Sequence, residues 1–433
     1  MAAVGAHDRR GRWVPALALA VAAALPAAVV RAPLLSVAAL GAAVGAAFLL
    51  LRLDAAVLVF VGLAPFEDYA SAVSGASVKL AGLLLFAAWG LRLLTDRTRE
   101  RLRHPGVRAA VVLLFVVMAS ALMHTNPPAG TSVVVRYVSF IGAFVVLADV
   151  LRGTVAPRRC AEVYVISCAL AAVCGLFESL VQGDYRAAGP LGDANDFAFF
   201  LVAAVPIALA LRTYGRRRLW LACAAVSLAA IAGSLSRGAA LGLVVVVLWA
   251  VAVGHIRPRT AAWSAAFVVA SLVVVAVLVP ALVSEKLDAK NKVAATNVDE
   301  RKIRWLVTTE MAADHPVLGI GPGGFETRYE EYVGDRDFNP THQLKVAHQM
   351  YLEVAAELGF VGLTAFLLIG ITGWTSARRV VRARGPDRAL AVGVQGALLG
   401  MAVAAMFLTE QYYLPVWLFP AMGIGLELRR ATA

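Results

Sequence analysis

Apolar runs recur along almost the whole of this chain, and that recurrence leaves few choices of fold. A helix of ~20 apolar residues crosses the hydrocarbon layer of a bilayer, and in lipid its backbone N–H and C=O groups must be satisfied within the segment. Fourteen stretches qualify as candidate spans: 13–30, 33–51, 55–73, 77–94, 107–123, 132–151, 160–182, 196–212, 218–234, 238–253, 261–283, 349–374, 387–408 and 414–428. The third and the last are the weakest. The fold class is therefore an all-α polytopic membrane protein of about 12–14 transmembrane helices, with the polar stretch 284–347 as one long extracytoplasmic loop containing short helices. The chain divides into 1–283 with helices 1–11, the loop 284–347, and 348–433 with helices 12–14.

Charge gives the orientation. If the N-terminus is cytoplasmic, the interior segments and both tails hold 26 of the 34 arginines, as the positive-inside rule requires. The net charge of +12 thus serves topology, because the arginines lie in short clusters between apolar runs and form no stripe that would suit nucleic acid. Sixty per cent hydrophobic residues and a mean hydropathy of +0.76 exclude an ordinary soluble domain. Cys160, Cys168, Cys174 and Cys223 show no metal-ligand or C-x-x-C spacing, so no disulfide framework or zinc site is expected. The first run follows Arg9, Arg10 and Arg12 and reads as an uncleaved anchor. The Gly41–Gly45 and Gly396–Gly400 spacings allow close helix approach, within a bundle or between chains.

The arginines that break the topological bias are the informative ones. Arg186 and Arg237 fall in short outer loops, and an arginine held at that depth faces a polar cavity or an anion. Arg186 belongs to the turn-rich segment 184–196, where Asn195 is placed to cap the next helix. In the long loop, Asn297 and Glu300 have the spacing of a capping box, so a helix is expected to start there with Ile303, Leu306, Val307 and Met311 on its apolar face. On that helix Arg301 and Trp305 are one turn apart, whereas Arg304 is expected to form an exposed ion pair with Glu300. Arg301 is thus the functional candidate of the two.

The stretch from His348 to Gly362 places His348, Tyr351, Leu352, Ala355, Gly359 and Gly362 on one helical face, with the imidazole where the loop enters a membrane helix. Glu357 lies ~13 Å along that helix, a depth that suits a structural role paired with a buried arginine or amide. Gly319, Gly321 and Gly324 formally spell G-x-G-x-x-G, but no strand precedes them, so the segment from His315 to Phe325 reads as a tight turn that folds the loop back. His342 and His348 have no carboxylate at metal-ligand spacing, and no metal site is expected.

These blocks together resemble a known family. His348-Gln349-Met350-Tyr351-Leu352 with Glu357, Gly359 and Gly362 is similar to the signature of the O-antigen ligase and O-antigen polymerase superfamily, with Gln349 where Asn or Ser is usual. Arg301 and Trp305, the His315–Gly321 block, Ser236-Arg237-Gly238 and Gly192 with Asn195 stand in the matching order, over about residues 180–430. The resemblance implies a transferase of the bacterial inner membrane that moves or polymerises undecaprenyl-diphosphate-linked glycan outside the cytoplasm, without cofactor. For such chemistry His348 is the expected base, kept neutral by the helix dipole, and Arg186, Arg237 and Arg301 are the expected diphosphate ligands, with Asn195, Trp305, Tyr351 and Glu357 in support. Its partners would be the lipid-linked donor, a glycan or lipid-glycan acceptor and the bilayer. The alternative is a transporter or flippase for lipid-linked sugars, but there is no internal repeat and the candidate polar groups collect at the outer loop. A metal-dependent oligosaccharyltransferase would need paired carboxylates in its first outer loop, and only Glu67-Asp68 in the second is available.

Overall fold

The computed structural model describes residues 44–73, 77–95, 102–124, 129–260, 262, 300–336 and 346–432. Among them the structure is helical with no strand. In chain order the helices are α1 Leu53–Leu63, α2 Glu67–Val73, α3 Ser77–Thr95, α4 Pro105–Met123, α5 Ala129–Gly153, α6 Pro157–Phe177 and α7 Ala194–Leu211. They continue as α8 Arg217–Ser234, α9 Arg237–Ala252, α10 over 300–314, α11 Gly324–Val333, α12 Met350–Arg382, α13 Arg388–Ala404 and α14 Leu414–Thr432.

Eight helical stretches among the described residues are long and apolar enough to cross a membrane. With α8, the shorter α9 and α14, every expected run that falls on described residues is a helix, including the weakest two, at 55–73 and 414–428. The runs 13–30 and 261–283, the first part of 33–51, the capping pair's Asn297 and the histidine His342 lie outside the described residues.

The bundle is organised around α7, which is buried along nearly its whole length and packs against α8 and α13. α14 lies against α5 and α12, and α13 against α9. Where α9 meets α13 the backbones approach directly: a Cβ on Gly242 would stand 2.6 Å from the Gly400 carbonyl oxygen, and one on Gly396 would meet Pro206. The Gly396–Gly400 spacing therefore works inside this bundle, as small residues do between membrane helices.

The feature that shapes the loop end of the bundle is a break in α12. Gly359 has φ 68° and ψ 179°, which separates two turns at 350–358 from the long helix 360–382. A break frees backbone groups that lipid cannot satisfy. Here the loop between α10 and α11 takes them up: Ile320 N–H donates to Ala356 O (2.8 Å), Gly321 N–H to Glu357 O (3.1 Å), and Phe360 N–H to Pro316 O (2.7 Å). Ser120 on α4 adds its hydroxyl to Leu318 O (2.7 Å) and Glu357 O (3.1 Å). The His315–Gly321 block and the Glu357–Gly359 block are thus two sides of one backbone junction.

Candidate active site

The loop leaves this junction with its glycine-rich turn held down by Glu357. That carboxylate is buried and accepts from the backbone of Gly323 and Phe325, with the Tyr412 hydroxyl at 3.4 Å. The expected partner of Glu357 was a buried arginine or amide; it is a pair of main-chain amides. The glycine-rich segment folds the loop back, as its composition suggested.

His348 ends the loop. It sits in the left-handed region at φ 53°, an uncommon conformation for a residue with a Cβ and one found mostly at sites that over-determine it. Gln349 follows as the N-cap of α12, its side chain accepting from Leu352 N–H at 2.7 Å. The residue that departs from the family pattern therefore does the capping work itself.

Around His348 the structure gathers the arginines. Arg301 and Arg304 on α10 both bear on the imidazole, and together with burial they lower its proton affinity to about 4. Burial is the larger cause. The neutral state is what the sequence suggested, but it arises from desolvation and neighbouring cations more than from the helix dipole, since His348 lies outside the first turn. Arg301 is itself pushed down by burial and by Arg304, Arg186 and Arg237, with Asp193 opposing. It stays charged, as guanidinium groups do. Such mutual repulsion among four cations is an arrangement that an anion would relieve.

Each arginine is placed by local structure. Arg186 donates to Ser234 O at the end of α8 (2.6 Å) and to Asn195 Oδ1 (2.7 Å), and Ala187 N–H donates to Gly233 O (3.0 Å). Arg237 opens α9, where a cation meets the positive end of the helix dipole and the Ser236 side chain offers no cap. Its side chain is exposed.

Three expectations need correcting. Arg304 does pair with Glu300, at 3.6 Å, but both side chains are largely buried and Arg304 bears on His348, so it belongs to the candidate site. Asn195 does not cap α7; Asp193 does, accepting from Asn195 N–H (2.6 Å) and Asp196 N–H (3.1 Å), which leaves the Asn195 amide free to hold Arg186. Tyr351 does not point into the arginine group: its hydroxyl donates to Ala402 O (2.8 Å) and its ring lines an apolar groove. Trp305 does stand beside the site, packed on Phe407 with ring centroids 6.3 Å apart, its buried Nε1 without a hydrogen-bond partner among the described residues.

The groove beside Tyr351 measures about 310 Å³ and runs along α12, α13 and α14, lined by Met350, Tyr351, Phe366, Trp374, Leu398 and Met401 among others. It begins two residues after His348. A short connection that sequence reading passed over, 408–413, closes the other side of the site. Thr409 and Gln411 donate to Glu353 (both 2.9 Å), Tyr412 reaches Glu357, and Tyr413 donates to Asp196 (2.6 Å). Burial and the neighbouring Asp196 and Asp193 push Glu410 well above the usual carboxylate range.

The family model described as O-Antigen ligase matches residues 221–367. That segment contains Arg237, Arg301, Arg304, the junction glycines and His348, so the resemblance carried by those motifs is borne out. No curated protein matches the chain.

Proposed function

We propose, with the O-antigen ligase kinship of its central segment as premise, that this membrane protein is a glycosyltransferase acting on the outer face of a bacterial inner membrane. It moves an undecaprenyl-diphosphate-linked glycan onto an acceptor hydroxyl, as a ligase or a polymerase. The observation that carries this reading is a neutral histidine held against Arg301 and Arg304, with Arg186 and Arg237 bearing on Arg301 in turn, directly before an apolar groove. The arginines suit the diphosphate and the groove suits the first isoprene units of its lipid.

In this reading the His348 imidazole takes the proton of the acceptor hydroxyl as its oxygen attacks the anomeric carbon. The bond from that carbon to the diphosphate oxygen breaks, and the electron pair leaves with the lipid diphosphate. Arg186, Arg237, Arg301 and Arg304 stabilise the charge that develops there. The depressed proton affinity of His348 also acquires a purpose. An anion on the arginines removes the field that disfavours imidazolium, so the base strengthens when the donor is bound.

With four guanidinium groups offsetting the diphosphate, no divalent cation is needed. The nearby carboxylates are otherwise engaged, Asp193 by the α7 cap and Asp196 by Tyr413. Purified protein in detergent should therefore transfer glycan from a lipid-linked oligosaccharide in excess chelator. Activity lost with chelator and restored by magnesium or manganese would sink the arginine mechanism, and Asp193, Asp196, Glu67 and Asp68 would become the residues to mutate.

Orientation has its own test. A cysteine replacing the exposed Tyr185 should react with an impermeant thiol reagent in intact cells, and one replacing the exposed Arg382 should not. Gly192, on the same outer loop as Tyr185, is unsuitable, because its φ is 71° and a Cβ there would overlap the Asp68 carboxylate. Labelling at Arg382 alone would invert the bundle and remove the site from the outer face.

A further inference from the structure

Glu353 is buried one turn into α12, and among the described residues its carboxylate accepts from donors outside that helix. Its Oε2 accepts from Ala347 N–H (2.7 Å) and from the Thr409 hydroxyl (2.9 Å), and its Oε1 accepts from Gln411 Nε2 (2.9 Å). Ala347 is the residue immediately before His348. On the other side of His348, Gln349 is tied by its own cap to Leu352 N–H. The left-handed residue is therefore fastened at both of its neighbours, and the fastening reaches across to the 408–413 connection.

We infer that Glu353 is the positioning residue for the base: by holding Ala347 N–H it fixes the His348 backbone at φ 53° and so aims the imidazole, a role that rests on the reading of His348 as the base. Glu353 acts through hydrogen bonds and not through its charge on the imidazole. The charges that bear on His348 are those of Arg301, Arg304 and Asp193. A regular helix start would not need it, since Gln349 already caps the first turn.

The chemistry of the three donors makes the substitutions discriminating. Glu353→Ala removes the clamp, and a misaimed base typically costs ~10²-fold in rate, so kcat should fall by that order while KM for the donor, set by the arginines, changes by less than about threefold. Glu353→Asp keeps the charge but is one methylene short of Ala347 N–H, and it should resemble the alanine variant. Glu353→Gln can keep Ala347 and Thr409 on its Oε1 and donate its Nε2 to Gln411 Oε1, which has no partner among the described residues, once that amide turns over. It should recover most of the lost rate.

In the double variant with His348→Ala, the Glu353→Ala change should cost nothing further, because a positioning residue acts only through the base it positions. Thermal midpoints in detergent monitor folding, and if the alanine variant does not purify, the Asp against Gln comparison decides alone. Wild-type kcat in Glu353→Ala, equal rates in the Asp and Gln variants, or an additive loss on top of His348→Ala would each overturn the inference. An active His348→Ala protein would overturn the underlying reading instead, so the two failures are told apart.

Discussion

Replacing His348 with alanine should reduce glycan transfer by ~10² to 10⁴-fold, the contribution a positioned base makes, while the protein inserts and purifies as wild type. The pH profile gives an independent check. With the imidazole's proton affinity lowered to about 4, the free enzyme keeps its base neutral well below the ordinary histidine range. The acid limb of kcat/KM should therefore lie near pH 4 and be absent at 6.5. The same shift has a stability consequence of definite sign. The unfolded chain binds a proton to this histidine near its ordinary value and the folded chain does not, so stability is full above about 6.5 and declines as pH falls toward 4. The thermal midpoint of the wild type should fall relative to that of His348→Ala across that window. An alanine variant with near wild-type turnover, or an acid limb at 6.5, would leave His348 as a loop residue.

How far the chain could be read in advance depended on the range of the interaction. Membrane runs are local, since ~20 residues decide each one, and even the runs at 55–73 and 414–428 became helices. Arg186 and Arg237 were legible because they violate a statistical rule that acts on single residues, and Arg301 because it stands one helical turn from Trp305. Arg304 was not. Its spacing from Glu300 fits an exposed pair equally well, and only the packing of α10 turns that pair inward. Asp193 and Asn195 can both cap a helix, and the choice between them is made by Arg186, which draws on the Asn195 amide. The contacts of Glu353 with Thr409 and Gln411 join residues more than fifty positions apart, with no motif to announce them. Gly319 and Gly359 lie between these cases. Their positions were visible, but not that each lets the other block's backbone approach.

That mutual accommodation predicts the largest structural effect in the molecule. Gly359→Ala should destabilise the protein by ~4 kcal/mol or more, at the exceptional end for single substitutions. Its φ of 68° with ψ of 179° is a region essentially reserved for glycine and costs a residue with a Cβ ~1–3 kcal/mol, and the added atom would overlap the carbonyl of Val317, which is main chain and cannot rotate away. Gly319→Ala should behave alike, since its φ is also 68° and its Cβ would overlap the main chain of Glu357. The two changes press on one junction, so the double variant should lose less than the sum of the singles. Gly90→Ala on α3 is the control, because open space surrounds that position and alanine favours the helix. The measurement is the thermal midpoint in detergent, together with transfer activity. A Gly359→Ala midpoint close to that of Gly90→Ala would mean that α12 is not broken at this residue. Without the break, Ala356 O and Glu357 O would return to the helix, the His315–Gly321 block would lose its partners, and the two turns that carry Glu353 and follow His348 would have no separate direction. On the reading of His348 as the base, its aim depends on a glycine eleven residues beyond it.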